Sequence, residues 1–327
     1  MSPHARCALL CLLVLALALA AGCAKSARRT PPPLSPEEAR QRFAQGEAAY
    51  HSGMYQASHE AFMAAEAAGY QPAPSLVNAG ASLLSMRQSA QALPTLERAT
   101  REDPASAAAW YNYGLALYGG GKFDDAVRAL QQSISLDPAN ADVWTALGAA
   151  FMGKRQPGVA VEQFSRALAL DPRNSTILAN RAGACLDAAL YKEAERDYQA
   201  VLALGEDLVI GHLGLGEVYL ARKKCRQAEE HFTRAVEFAP ANSLAYYNRG
   251  MLHRQCGDYV KAEEDFTRAA AFDPEFSEAL VMRGDTHLAR RQKDLGCKDL
   301  IAACDLGNCA RLEAVRGAGL CPRLPPL

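Results

Sequence analysis

The sequence lacks an excess of charge of either sign and is poor in aromatic residues. Lys and Arg number 35 against 36 Asp and Glu among 327 residues, and aromatic residues make up only 7%. Basic residues occur in runs no longer than triplets such as Arg222, Lys223 and Lys224. Because binding to nucleic acids requires a concentrated basic surface that neutralises phosphates, this distribution argues against a nucleic-acid partner.

Motifs for catalysis and cofactor binding are also missing. The sequence contains no His-Glu-x-x-His run, no phosphate-binding glycine-rich loop, no nucleophile elbow and no Cys-x-x-Cys pair. His253 and His287 fall at the same position of a repeat described below, which favours a packing role over catalysis. We therefore expect a protein that is not an enzyme, with no metal site and no small-molecule substrate.

No hydrophobic run is long enough to cross a membrane as a helix. The longest uncharged apolar segment, at residues 7–21, is 15 residues long, whereas a spanning helix needs about 20. The basic residues His4 and Arg6 precede this segment, and the small residues Ala20, Ala21 and Gly22 stand at its end, as in a secretory signal peptide. These features predict that residues 1–22 are a signal peptide.

The residues around Cys23 carry a further indication. The order Leu19, Ala20, Ala21, Gly22, Cys23 resembles the bacterial lipobox, although Leu stands one place earlier than that family prefers. The resemblance implies that Cys23 becomes the mature N-terminus, bears diacylglycerol and acyl chains such as palmitate, and anchors the protein in a cell-envelope membrane. Ala24, rather than Asp, implies the outer membrane, on the side facing the periplasm. Plain secretion with cleavage near Gly22, or an uncleaved anchor, are the alternatives.

Residues 23–35 are predicted to be a tether, and the chain beyond them repeats every 34 residues. The tether has no apolar periodicity, and its three consecutive prolines favour an extended spacer. In the repeat, glycine recurs at 46, 80, 114, 148, 216, 250 and 284, and proline at 104, 138, 172, 240 and 274. Such a fixed period is typical of a solenoid in which each unit buries its apolar face against its neighbours.

These residues resemble the tetratricopeptide repeat family. Its pattern appears in Trp110, Gly114, Ala126, Leu130, Ser133 and Pro138, and again in Tyr246, Gly250, Ala262, Phe266, Ala269 and Pro274. The resemblance implies an all-α, right-handed superhelical solenoid of helix-turn-helix units, with the first (A) helices lining the inner groove. Eight units are predicted at 39–72, 73–106, 107–140, 141–174, 175–208, 209–242, 243–276 and 277–310, followed by a C-terminal cap and tail at 311–327.

Asparagine recurs at position 6 of the units, on the face expected to line the groove. The candidate binding residues are Asn78, Asn112, Asn180 and Asn248, with Tyr111 and Tyr247 at position 5. Side-chain amides can both donate to and accept from the backbone of an extended peptide. The alternative is that these amides bond within the array. No basic residue occupies position 5, so the carboxylate clamp of some relatives is absent.

Seven cysteines remain after Cys7, Cys11 and Cys23 are set aside, and an oxidising compartment favours their pairing. Cys185 is expected to be buried and free. Cys297 and Cys304 are about 10.5 Å apart along one predicted helix, too far to bond to each other. A capping helix that folds back would instead pair Cys304 with Cys309 and Cys297 with Cys321, and Cys225 can pair with Cys256 across neighbouring turns. A zinc site is the rival interpretation.

Together these features predict a protein-interaction scaffold, tethered by lipid to a bacterial envelope membrane, that supports assembly of an envelope complex. Apart from the lipid no cofactor is expected, and the partners would be other envelope proteins or peptides. The alternative function is a recognition module that holds peptides or unfolded clients along the asparagine-bearing groove.

Overall fold

The computed structural model describes residues 34–321, so the predicted signal peptide, Cys23 and nearly all of the predicted tether lie outside the described residues. Within 34–321 the chain forms seventeen α-helices and no strand. They are α1 Pro36–His51, α2 Tyr55–Ala67, α3 Pro72–Ser85, α4 Ser89–Glu102, α5 Ala107–Gly119, α6 Phe123–Leu136, α7 Ala141–Gly153, α8 Pro157–Leu170, α9 Ser175–Asp187, α10 Tyr191–Leu204, α11 Leu208–Ala221, α12 Cys225–Phe238, α13 Ser243–Gln255, α14 Tyr259–Phe272, α15 Ser277–Ala289, α16 Lys293–Asp305 and α17 Ala310–Gly317.

The helices stack as consecutive pairs, which makes the molecule an all-α repeat solenoid. Each odd-numbered helix from α1 to α15 is the A helix of one unit, and the even-numbered helix after it is the B helix. None of the helices between residues 34 and 321 is long and apolar enough to cross a bilayer.

Close approach of the A and B helices explains why glycine recurs at position 8. A Cβ atom added to Gly216 would lie 2.5 Å from the ring of Phe232, and one added to Gly148 would lie 2.6 Å from Phe164. Phe232 and Phe164 are fully buried by this contact. The missing side chain thus creates the space that the large residue at position 24 fills, as close packing requires.

Side-chain caps begin several A helices. The side-chain oxygens of Asn140, Asn174 and Asn242 accept hydrogen bonds from backbone N–H groups in the following first turn. Ser35 and Glu38 form a reciprocal capping box at α1. Unit five lacks the usual proline, and there α10 ends at the left-handed Gly205 instead.

Bidentate Arg–Asp pairs join the helices of three units, a feature that we did not predict. Arg at position 7 of the A helix bonds Asp at position 23 of the B helix in the pairs Arg181–Asp197, Arg249–Asp265 and Arg283–Asp299. Each guanidinium also donates a hydrogen bond to a hydroxyl group of the preceding unit, on Ser165, Thr233 or Thr267. The pairs therefore connect neighbouring units as well as the two helices of one unit.

The turn between the A and B helices has one conformation in all eight units. Its central residue, at position 15, adopts a positive φ in every unit. Glycine occupies three of these positions, and the other five hold Arg87, Arg155, Ala189, Lys223 and Arg291, with φ between 57° and 62°. This left-handed conformation disfavours residues that carry a Cβ atom.

Three disulfides close the C-terminal half of the array. Cys225 and Cys256 connect neighbouring A–B turns, with their Cα atoms 6.5 Å apart. Cys304–Cys309 and Cys297–Cys321 flank α17 and attach it to α16. Cys185 is free and buried, and burial raises the pKa of its thiol to about 11, so the reactive thiolate is disfavoured at neutral pH.

Candidate functional site

The A helices present a groove that contains two cavities. Positions 6, 9, 12 and 13 of successive units supply most of their walls. The cavity near the N-terminal end has a volume of about 360 Å³ and is lined by Glu47, Tyr50, His51, Phe62, Asn78, Ala81 and Asn112. Its mixture of amide, charged and aromatic groups can contact both the backbone and the side chains of a polypeptide.

The second cavity lies in the middle of the array and has a volume of about 310 Å³. Its lining includes Tyr118, Met152, Asn180, Asp187 and Glu217, with small residues such as Gly183 between them. Burial raises the pKa of the Glu217 carboxyl, and the charge of Asp187 raises it further, whereas a hydrogen bond from Asn248 opposes the shift. The cavity therefore combines an acidic side with an apolar wall.

The four predicted asparagines divide into two pairs. Asn112 donates to the backbone carbonyl of Ala108 in its own helix at 2.9 Å, and Asn248 donates to Glu217 Oε1 of the preceding unit at 2.7 Å. Asn78 and Asn180 make no side-chain hydrogen bond among residues 34–321, and each lines one of the cavities. The amides with free bonding capacity are thus Asn78 and Asn180.

The predicted tyrosines are partly occupied by packing within the array. Tyr111 packs against the core between units three and four, and burial, with the charge of Asp142, raises the pKa of its hydroxyl. Tyr247 contacts the rings of Phe266 and Phe276, at centroid distances of 5.8 and 4.9 Å. Tyr118, at position 12, is more accessible than either, with 39% of its surface exposed, and it lines the second cavity.

A pair of histidines lies within unit six. Nδ1 of His212 and Nδ1 of His231 are 2.9 Å apart, so one ring donates to the other. His212 stacks on Phe238, and His231 stacks on Tyr219. Burial lowers the pKa of both imidazoles below 6.5; His231 and Arg234 lower that of His212 further, whereas Glu230 opposes the shift in each.

We expect this pair to make the protein less stable as the pH falls below about 6.5. The unfolded chain binds protons at its ordinary histidine pKa, whereas the folded chain resists protonation until a lower pH, so acid favours unfolding. Urea denaturation between pH 8 and pH 5 measures the slope, which His231→Gln should reduce. Gln227→Ala, on the same helix, removes no titratable group and is the control that should leave the slope unchanged; an unchanged slope in His231→Gln would exclude the histidine pair as the cause.

Groups of three or more His, Cys, Asp or Glu placed to hold a metal ion do not occur within the described part of the chain. The cysteines for which a zinc site was the rival interpretation form the disulfides Cys297–Cys321 and Cys304–Cys309 instead.

Comparisons with known proteins identify the repeat. A family model described as tetratricopeptide repeat matches residues 77–141, 114–155 and 145–208, and a second model of the same description matches residues 243–276. The matched segments together cover half of the chain. A comparison with curated protein sequences found no match.

Solved structures share the fold at low sequence identity. A tetratricopeptide repeat protein of Parabacteroides merdae is 20% identical, with a TM-score of 0.65 over 76% of this chain and 97% of that one. PilW, a type IV pilus biogenesis factor, is 17% identical, with a TM-score of 0.57 over 64% of this chain and 96% of its own. PilF of Pseudomonas aeruginosa is 22% identical, with a TM-score of 0.51 over 66% of this chain and 98% of that one. The chain belongs to the tetratricopeptide repeat family, whose fold generally serves as a non-enzymatic scaffold for protein interactions.

Proposed function

We propose that this protein is a lipid-anchored scaffold on the periplasmic side of a bacterial outer membrane, where it supports assembly of an envelope complex. The observation that carries the scaffold function is the continuous array of helix pairs with an open groove along its A helices. The anchor rests on the resemblance of residues 19–23 to the lipobox. Similarity of the fold to PilW, a type IV pilus biogenesis factor, is compatible with this role.

The anchor is tested by Cys23→Ser in the full-length chain. Thioether lipidation requires the Cys23 sulfur, so at high salt, which screens electrostatic contacts with the membrane, the variant should move from the membrane fraction to the soluble periplasmic fraction while wild type stays in the membrane. Mass spectrometry of the wild-type N-terminus should show a diacylglycerol-modified Cys23. An unmodified thiol at that residue would leave a free periplasmic scaffold and contradict the anchor.

The scaffold itself is tested by affinity capture from detergent-solubilised envelopes, with quantitative mass spectrometry of the captured proteins. Wild type should retain a defined set of envelope proteins that Cys23→Ser, which keeps the array intact, recovers at a lower level because it is no longer held at the membrane. A wild-type protein that enriches no envelope protein over a mock capture would contradict the scaffold function.

Recognition of extended peptides along the groove is the second candidate function. It is favoured by Asn78 and Asn180, whose side-chain amides make no hydrogen bond among residues 34–321 and line the two cavities. Such amides can hold a peptide backbone without reading its sequence.

The double variant Asn78→Ala, Asn180→Ala separates these two functions. If the groove holds peptides, the variant should lose at least about tenfold in affinity for peptides selected by wild type from a random library, because each lost hydrogen bond is worth about 1 kcal/mol. Gln131→Ala is the matched control, since this exposed amide lies on the B helix α6 and lines neither cavity. Equal affinities of all three proteins, measured by fluorescence anisotropy with circular dichroism to verify folding, would favour a scaffold that uses its convex face or its edges.

A further inference from the structure

The A–B turns of the eight units lie along one edge of the solenoid, here called the A–B edge. Bonds between neighbouring turns show this directly, since Cys225 of unit six is joined to Cys256 of unit seven, and Lys154 of unit four pairs with Asp124 of unit three at 2.7 Å. The turns that lead from each B helix to the next A helix lie along the opposite edge, here called the B–A edge.

Position 15 is the residue of each A–B turn with the strongest conformational preference for glycine, because its backbone is left-handed in all eight units. Glycine suits this conformation and occupies it at Gly53, Gly121 and Gly257, where an added Cβ would meet nothing within 4 Å. Space is therefore available for a side chain, but the backbone conformation disfavours one. A residue with a side chain is energetically less favourable than glycine at this position. Such a residue is therefore a candidate for a role in binding rather than in folding.

Four of the five non-glycine residues at position 15 are basic. They are Arg87, Arg155, Lys223 and Arg291, and all four are exposed. None forms an ion pair or a side-chain hydrogen bond with any residue between 34 and 321. Their charges therefore make no visible contribution to the stability of the fold. The fifth residue, Ala189, adopts the same conformation with φ 58°, so the turn does not need a charged side chain to form.

Further exposed basic residues and apolar side chains lie beside these turns in units six to eight. Lys224, Arg226 and Lys293 add positive charge. At the starts of α14 and α16, Tyr259, Val260 and Leu295 are 39%, 53% and 48% exposed. Basic and apolar groups together on one exposed edge match the interfacial region of a membrane, where headgroups carry charge and acyl chains begin beneath them.

The B–A edge has the opposite charge. Position 31 carries aspartate in four units, and further acidic residues follow it in units five and seven: Asp103, Asp137, Asp171, Asp273, Glu206, Asp207 and Glu275. The A–B edge also holds the carboxylates of Asp124, Asp125, Asp258 and Asp294, but its basic residues outnumber them, so a chain whose net charge is only −1 has a predominantly positive edge and a predominantly negative one. Near an anionic surface such a molecule is turned with its A–B edge inward.

We propose that the A–B edge is a binding surface for an anionic phospholipid bilayer. The occupant is identified by its negative charge and its apolar interior, which match the exposed basic residues of the turns and the exposed apolar side chains of units six to eight. This inference does not depend on Cys23, because every residue that carries it lies within 34–321. Contact along this edge orients the solenoid and leaves the acidic edge and the groove accessible to other proteins.

The test uses the chain from Ala24 to Leu327, which keeps all seventeen helices and removes both the apolar leader and Cys23. Co-sedimentation is measured with vesicles of phosphatidylethanolamine and phosphatidylglycerol, and with vesicles of phosphatidylcholine alone. Wild type should bind the anionic vesicles, bind them less tightly as salt is raised, and leave the phosphatidylcholine vesicles unbound. Equal binding to both vesicle types, or binding that is insensitive to salt, would overturn the proposal.

The quadruple variant R87G, R155G, K223G and R291G removes the four charges while it installs the residue that the turn prefers. Its affinity for anionic vesicles should fall at least tenfold, since one basic residue near such a surface contributes about fivefold. Its Tm should equal or exceed that of wild type, so unfolding would not explain the loss.

The matched control is A189G, which makes the same backbone change without removing a charge. It should match the quadruple variant in the direction of its Tm change and bind vesicles like wild type. Unchanged binding by the quadruple variant would overturn the proposal. Wild type that binds polyglutamate but not anionic vesicles would assign the edge to an acidic protein instead.

Discussion

Replacement of Asp265 by Ala is expected to lower the free energy of unfolding by about 3–5 kcal/mol. The Asp265 side chain is 4% exposed and bonds to Arg249, whose own side chain is 14% exposed, with both oxygens, at 2.8 and 2.9 Å. Removal of the carboxylate leaves a guanidinium buried without its countercharge, together with a weakened contact to Thr233 of unit six. Urea denaturation of wild type and variant measures the difference.

The same chain supplies the design of a rescuing variant. In unit four, Leu147 and Gln163 occupy the positions that Arg249 and Asp265 occupy in unit seven, and both are buried. Arg249→Leu with Asp265→Gln should therefore recover most of the stability that Asp265→Ala loses, because the buried cation is removed along with its partner. If the double variant is as unstable as the single one, the loss does not come from the uncompensated charge.

A cost of about 3–5 kcal/mol is also expected for Phe232→Ala. Phe232 is fully buried on α12 and fills the space left by Gly216. The truncation creates a cavity that the facing helix cannot close, because α11 and α12 are already in close contact and joined to the next unit by Cys225–Cys256. Phe238→Ala on the same helix is the matched control, since Phe238 is 51% exposed and should cost no more than about 1.5 kcal/mol.

The Phe232→Ala variant should lose stability first in the helices around the substitution, and only later along the whole array. Units of a solenoid contact only their neighbours, so each unit depends mainly on its own packing and on two interfaces. Hydrogen exchange followed by mass spectrometry should show that α11 and α12 lose protection first, while α1 to α8 keep theirs. Uniform loss of protection along residues 34–321 would contradict this expectation.

Most of the fold could be predicted from the sequence because a repeat supplies the same information many times. Any one glycine or proline has several structural explanations, but glycine at position 8 in seven of eight units does not. The Arg–Asp pairs left a similar signal, since both residues recur in units five, seven and eight, yet we did not recognise it. We assigned no partner to the charged residues that recur in the repeat, whereas α9 and α10 bury Asp197 against Arg181.

The candidate site was less predictable because the hydrogen-bond partners of its side chains come from neighbouring units. The sequence showed four asparagines at one position, but which of them are available depends on residues that face them across the array. Asn248 bonds to Glu217, 31 residues earlier, whereas Asn180 at the same position of unit five lines an open cavity. No spacing rule within one unit distinguishes these two cases.

The sequence by itself determined the helix pairs, their order and the cysteine pairs to expect, because 34-residue periodicity, caps and spacing act within one or two units. The tertiary structure decided which amides remain available, which charges are buried in pairs and which stand along the A–B edge. The physical reason is distance along the chain. Helix formation and unit packing depend on residues a few turns apart, whereas the groove and the edges are surfaces assembled from all eight units.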